Sequence, residues 1–444
     1  MDALFLARLQ FAITACFHFI FPPVSIGLAW MLCIAEYLGW RRADAHYVQI
    51  GKLFGKLFAI TFAVGVATGI VMEFQFGTNW AAYSKYVGDI FGAPLAAEGV
   101  FAFFLESSFM GLYLFGRGRV SRGLHWLSSL MVAVGATLSA FWIIAANSWQ
   151  QTPTAFHVVD LPGGGQRAEL TDFWAAVFNP STLPRYFHTV VAALVCGAFI
   201  FAGVAAWHLL RDGGSFWARK ALKLGVAWGL VFAFLTAMPF GHLHAQQVAR
   251  TQPEKFAAIE GLYTSQEGAP LLLFGIPFNP PPHIKAKIEI PGLLSYMAFG
   301  SIDAHVQGID AFPREDRPPL WLTFVSFHNM VALGSLFIAL MAAAAFRMFQ
   351  GKIWQDRWLL KALVLAIPLP VAACELGWVA AEVGRQPWIV YKLLRTSAAH
   401  SPTVGAPEIA FSLGMFTLVY LALGALWLFL MVRKAKVVPA LVKA

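Results

Sequence analysis

Long apolar runs of about twenty residues recur along this chain, separated by short polar stretches. Twenty apolar residues make a helix long enough to cross a bilayer core. Nine runs qualify: 11–35, 54–76, 94–116, 124–147, 186–210, 221–240, 320–346, 359–383 and 409–432. The pattern predicts an all-α integral membrane protein whose nine helices form a bundle. It divides into helices one to six over 1–240, a loop over 241–319, and helices seven to nine with a tail over 320–444. The loop is rich in proline, with Asn279-Pro280-Pro281-Pro282 and Pro318-Pro319, and is too short for a large separate domain.

Composition agrees with the pattern. Of 444 residues 59% are hydrophobic and 12% charged, against about 25% charged in soluble domains. The basic residues set an orientation. Arg41, Arg42, Lys52 and Lys56 follow run one, and Arg117, Arg119 and Arg122 separate three from four. Arg211, Arg219, Lys220 and Lys223 separate five from six, and Arg347, Lys352, Arg357 and Lys361 separate seven from eight. Arg433, Lys434, Lys436 and Lys443 follow run nine. Alternate loops are therefore basic, which predicts a cytoplasmic C-terminus, with the N-terminus and the 241–319 loop outside the cytoplasm. This collar explains the net charge of +9 without a nucleic-acid partner. Run one is too long for a signal peptide core, and its basic cluster follows it. Cys16, Cys33, Cys196 and Cys374 all fall in apolar runs with no CxxC spacing, so neither a disulfide framework nor a thiolate cluster is indicated.

Charged groups inside the runs carry the candidate chemistry. Glu375, Trp378 and Glu382 share one helix face. A carboxylate there costs roughly 3 kcal/mol or more, so it is expected to bind or move something. Arg385 stands one turn from Glu382, placed to offset its charge. His18 lies inside run one, ahead of Pro22-Pro23, a pair expected to kink the helix. It suits a haem ligand or a hydrogen-bonded core histidine. His188 opens run five and Met330 lies early in run seven, both near the outer surface. A His/Met pair suits a low-spin electron-transfer haem. His328 sits about 200° around the helix from Met330, so the two cannot both face one haem, and spacing alone does not choose between them. Glu98 and Glu106 occupy two depths of run three, about 12 Å apart along an α-helix, and suit a proton relay. Asn147 is a plausible polar neighbour for them, or a helix-end cap. Gly65 and Gly69 suit close helix packing. In the loop, Pro253 begins a short amphipathic helix in which Lys255 and Glu260 could bind a polar headgroup. By pattern alone that helix is an ordinary solvated one. Gly241-His242-Leu243-His244 is expected as a polar loop.

Together these segments resemble subunit I of the cytochrome bd-type quinol oxidases. They are Arg8-Leu9-Gln10-Phe11 running to His18, Gly88-Asp89-Ile90-Phe91-Gly92-Ala93-Pro94-Leu95 with Glu98, and Phe103-Phe104-Leu105-Glu106-Ser107. Others are Asn147-Ser148-Trp149, His188-Thr189, Lys255 to Glu260, Phe327 to Met330, and Glu382 followed by Gly384-Arg385-Gln386-Pro387-Trp388. The resemblance covers nearly the whole chain. It implies a nine-helix haem bundle with a short extracytoplasmic Q-loop, in the bacterial cytoplasmic (inner) membrane. It implies that quinol is oxidised outside and oxygen is reduced to water with cytoplasmic protons, building proton motive force without a dedicated pump.

The resemblance further implies that His188 and Met330 ligate low-spin haem b, His18 the oxygen-reducing haem, and Glu382 high-spin haem b. Glu98 and Glu106 belong on the proton path and Lys255 and Glu260 at quinol. Arg8, Trp378, Arg385 and Asn147 support the haems. Implied partners are subunit II, a small single-helix accessory subunit, lipid, quinol and O2. Many members carry arginine where His328 stands and an acidic residue where His242 stands. These departures resemble the cyanide-insensitive branch, so the third haem is haem d or a third haem b. Two rival readings remain: a carboxylate-based transporter, and a haem electron-transfer subunit without oxygen chemistry.

Overall fold

The computed structural model describes residues 2–162, 164–278, 283–438 and 440. The Asn279-Pro280-Pro281-Pro282 stretch and Lys443 lie outside the described residues. Among the described residues nine helices are long and apolar enough to cross a membrane: Ala3–Arg41, Ala45–Thr78, Ala81–Phe115, Arg122–Gln151, Thr182–Arg211, Phe216–Thr251, Leu320–Phe349, Arg357–Val383 and Ala406–Ala435. They are numbered here as spans one to nine. Each contains most or all of its predicted run and extends beyond at least one end of it, because polar residues cap or prolong the helix. Asp44 and Ser121, for example, accept backbone N–H groups at the starts of spans two and four. Span six runs on to Thr251 rather than stopping at 240. Gly241-His242-Leu243-His244 is therefore helical, not the expected loop.

Proline interrupts four spans. Span one breaks at Ile20, between Ala3–Phe19 and Phe21–Arg41, where Pro22-Pro23 predicted a kink. Span eight breaks between Arg357–Leu365 and Leu369–Val383, at Pro368 and Pro370. Pro94 precedes a π-helical stretch over Glu98–Phe103, and Pro239 sits inside another over Thr236–Gly241. A missing proline N–H frees a carbonyl of the preceding turn, and the wider π turn takes up the slack.

Span five lies at the centre, buried along most of its length, while span nine packs at the edge on spans one and two and is largely exposed. Gly27 and Gly197 let spans one and five meet backbone to backbone, leaving no room for a side chain at either position. Aromatic contacts fill the core, with Phe54 stacked on Phe201 at 3.7 Å between ring centroids. The outer faces carry Phe101, Phe104, Phe411 and Leu418, all exposed and all apolar, as lipid contact requires.

Two ends of the bundle differ. The basic connections lie at one end. At the other lie the Phe156–Asp160/Gln166–Leu170 hairpin and the segment after span six. That segment folds into a helix over Pro253–Glu260, an antiparallel hairpin of Leu271–Phe278 with His283–Ile290, and a helix over Leu293–Phe299.

Candidate functional site

The end opposite the basic collar gathers Arg385 and Lys255, both singled out above, around Glu382. This residue closes span eight, and its carboxylate faces three other elements. Asn147 Nδ2 donates to Oε1 at 3.3 Å and Gln151 Nε2 at 3.2 Å, both from the last turns of span four. Arg385 pairs with Oε2, and Arg185, from the first turn of span five, stands 3.8 Å from Oε1. Arg385 also donates to Gln150 Oε1 at 2.6 Å, and Gln150 bonds the Tyr83 hydroxyl. Asn147 therefore serves Glu382, not Glu98 or Glu106 as the sequence suggested. Two guanidinium groups and two amides favour the ionised carboxylate.

Lys255 joins the same network. Its Nζ donates to Gln151 Oε1 at 2.5 Å and Gln252 Oε1 at 2.8 Å, so one glutamine separates it from Glu382. The expected solvated helix is instead buried from Glu254 to Glu260. Burial and then Arg185 push the Lys255 ammonium well below its usual range, opposed by Glu382. Burial alone raises Glu260 to about 8. Tyr391 donates to Glu254 at 2.6 Å, and Lys392 pairs with the same carboxylate at 3.3 Å, fixing the helix to the segment after span eight.

The candidate axial ligands stand singly. His18 Nδ1 lies 2.9 Å from Thr68 Oγ1, which donates its own hydrogen to the Val64 or Gly65 carbonyl at 3.0 Å. Thr68 therefore accepts from Nδ1–H, leaving Nε2 as the unprotonated nitrogen that can bind iron. His188 is arranged likewise. Its Nδ1 donates to the Thr236 carbonyl at 3.2 Å, at the start of the π-helical stretch in span six. His328 differs, because its two ring nitrogens face the Phe324 and Leu272 carbonyls at 3.2 and 3.1 Å. A neutral ring donates to one of the two, so His328 is engaged by the backbone in either tautomer. Met330 Sδ lies against Gly377 of span eight. Gly69 packs against the His18 ring and Gly65 against Phe21, the close packing expected of that pair.

Trp378 stacks on Phe19 at 5.1 Å and 15°, worth about 1 kcal/mol beyond area burial. Both oxygens of Glu375 are buried, with the Cys16 thiol as the polar group beside them. Arg8 reaches Gln386 Oε1 at 3.4 Å. Cys196 and Cys374 approach to 3.9 Å as free thiols, a pairing the spacing did not indicate. Among the described residues, no three His, Cys, Asp or Glu side chains gather around a bare metal ion.

Glu98 and Glu106 lie deeper. Ser139 Oγ donates to Glu98 Oε1 at 2.7 Å, and Glu106 is buried against span four. The π-helical turns over Glu98–Phe103 separate them, so the purely α-helical spacing expected between them does not hold.

Sequence reasoning missed Arg185, Gln150, Gln151 and Tyr83. Arg185 was the findable one, an arginine at the end the basic collar avoids.

Comparison with known proteins places this arrangement. A sequence profile described as cytochrome bd terminal oxidase subunit I matches residues 6–439. Cytochrome bd ubiquinol oxidase subunit 1 of Bacillus subtilis (strain 168) is 38% identical, over 98% of this chain and 94% of that protein. Cytochrome bd-II ubiquinol oxidase subunit 1 of Escherichia coli (strain K12) is 36% identical over 99% and 97%. The solved structure of bd oxidase from Geobacillus thermodenitrificans superposes with a TM-score of 0.91, at 32% identity, covering 98% of both chains.

Proposed function

The chain belongs to the cytochrome bd terminal oxidase subunit I family, and we propose that it oxidises quinol at the Lys255 end of the bundle and delivers the electrons to oxygen. Its activity is that of a quinol:oxygen oxidoreductase, a multi-pass membrane subunit of a terminal respiratory oxidase that uses haem and quinol. The transporter reading and the reading without oxygen chemistry have no support among these relatives.

The residues present fit haem. His18 and His188 each keep Nε2 for iron, Met330 offers a thioether, and Glu382 offers a carboxylate. Arg185 Nη1 and Arg385 Nε are buried donors without partners beside Glu382, suited to the carboxylates that haem carries. In this reading His188 and Met330 hold low-spin haem b, Glu382 holds high-spin haem b, and His18 holds haem d or a third haem b. Bound haem iron supplies one-electron transfer and, where a coordination position is open, oxygen binding. The protein's own groups do the rest. Lys255 and Glu260 bind and orient the quinol headgroup, and Glu260 takes up a quinol proton. A groove of 560 Å³ along spans five and six, lined by Leu183, Phe187, Phe240 and Leu243 with Gln247 and Arg250 at its polar edge, suits quinol's apolar tail. Arg185, Arg385, Asn147 and Gln151 keep Glu382 ionised and oriented. Glu98 and Glu106 hold protons on their way to oxygen.

The basic collar supports a cytoplasmic position for its own end of the bundle and an extracytoplasmic one for the quinol end. Subunit II, and a small accessory subunit, complete the oxidase. The observation that carries this reading is the shared network of Lys255, Gln151 and Glu382, which ties the proposed quinol helix to a proposed iron ligand. The purified oxidase is expected to consume oxygen with quinol as donor and to show one low-spin and two high-spin haems, the types identified by extraction. A preparation without haem, or with low-spin haem alone, refutes it.

A further inference from the structure

We propose that a buried cluster at the basic end, formed by Glu36, Arg117, His125 and Tyr113, is where protons enter the bundle, and that spans three and four carry them to Glu106 and Glu98. The proposal rests on the reading of those two carboxylates as proton carriers.

The cluster joins four spans. Glu36, near the end of span one, takes the Arg117 guanidinium and, at 3.3 Å, the Tyr113 hydroxyl on Oε1. Its Oε2 faces His125 Nδ1 at 3.5 Å. His125 Nε2 lies 3.0 Å from the Tyr113 carbonyl, which can only accept, so Nε2 carries a hydrogen. A neutral ring with its proton on Nε2 would turn a bare Nδ1 lone pair toward a carboxylate. A second proton between Nδ1 and Oε2 would turn that repulsion into a bond. The geometry makes this a place where one exchangeable proton is held. Gly51 of span two has no side chain because the Glu36 carboxylate occupies that space. Glu36 is 6% exposed but Arg117 is 26% exposed, so the cluster opens toward the loop between spans three and four. The other ionisable groups nearby are Cys33 on span one and Lys52 on span two, with Lys56 beside Lys52.

A route leads inward from there. His125, Ser128, Val132, Gly135 and Ser139 lie on one face of span four. Gly135 packs directly on Glu106, and Ser139 bonds Glu98. On span three, Tyr113 and Glu106 share a face about 10 Å apart. Ser107 Oγ beside Glu106 is buried with no partner, and Glu106 is itself buried. Buried polar groups left unpaired by protein call for water, and water on this face links the cluster to Glu106.

A plain structural ion pair is the competing role, and neutralising both partners separates the two. Glu36→Gln combined with Arg117→Gln leaves no uncompensated charge, so a merely structural pair is dispensable in it. The assay uses the complete oxidase in liposomes with excess quinol. The proposal expects a normal haem content and normal reduction by quinol, oxygen consumption at least about tenfold slower, and a larger solvent isotope effect. Oxygen consumption at the wild-type rate overturns it. His125→Gln, which keeps polar volume but cannot hold the second proton, is read the same way should the double variant assemble poorly. Glu106→Gln is measured alongside. If it is slow while the cluster variants are normal, protons enter elsewhere and the carboxylate reading survives. If all are normal, both fail.

Discussion

At the residue scale, second partners decide what each side chain can do. In sequence His18 reads as a haem ligand or a core histidine, and in the fold both it and His188 have Nδ1 engaged, which suits the proposed ligation through Nε2. His328 turns its ring nitrogens to backbone carbonyls, which supports the proposed choice of Met330 over it. Met330→Leu keeps the volume and removes the thioether. The low-spin haem is then expected to turn high-spin or to fall in reduction potential; an unchanged spectrum and potential in a redox titration would contradict the ligand assignment. Glu260 offers a pH signature. Its carboxyl is raised to about 8 from 4.5, so it is neutral below that pH and becomes a base as pH rises through it. Quinol oxidation should climb toward pH 8 in the wild type, and this limb should vanish in Glu260→Gln. By linkage the same shift lowers folding stability as pH rises from about 4.5 to about 8, because the unfolded chain releases that proton first.

At the element scale, the nine spans were legible because lipid demands long apolar runs. The carboxylates within them stood out because they are costly there. The interruptions were half legible. Pro22-Pro23 announced the break in span one, but Pro94 and Pro239 did not disclose that their helices would widen into π turns. Asn147 read as a helix-end residue and Gln150 and Gln151 went unnoticed beyond the predicted run, since nothing local shows that Glu382 arrives from across the bundle. Lys255 looked solvated because amphipathicity does not reveal what later covers the polar face. The π turn at Glu98–Phe103 sets how Glu98 and Glu106 face span four. Deleting Val100 should restore α-helical winding and rotate one carboxylate against the other by about 100°. Oxygen consumption is expected to fall at least about tenfold with haem content kept; full turnover in the deletion variant would show that this geometry is not needed.

At the scale of the whole molecule, two chemically distinct ends explain the division of labour. One end concentrates Arg185, Lys255, Glu382 and Arg385 in a connected network under a folded cap. The other carries the basic collar and the Glu36 cluster, with Glu98 and Glu106 between them. In the proposed reading electrons enter at the first end and protons at the second, which would separate charge across the membrane as oxygen is reduced. The central claim is that Glu382 is an iron ligand rather than a carboxylate held only by its arginines. Haem extraction and the reduced spectrum of purified Glu382→Ala oxidase test it most directly. The ligand assignment predicts loss of one high-spin haem b while the His188/Met330 haem persists; a full complement of three haems in that variant would contradict it.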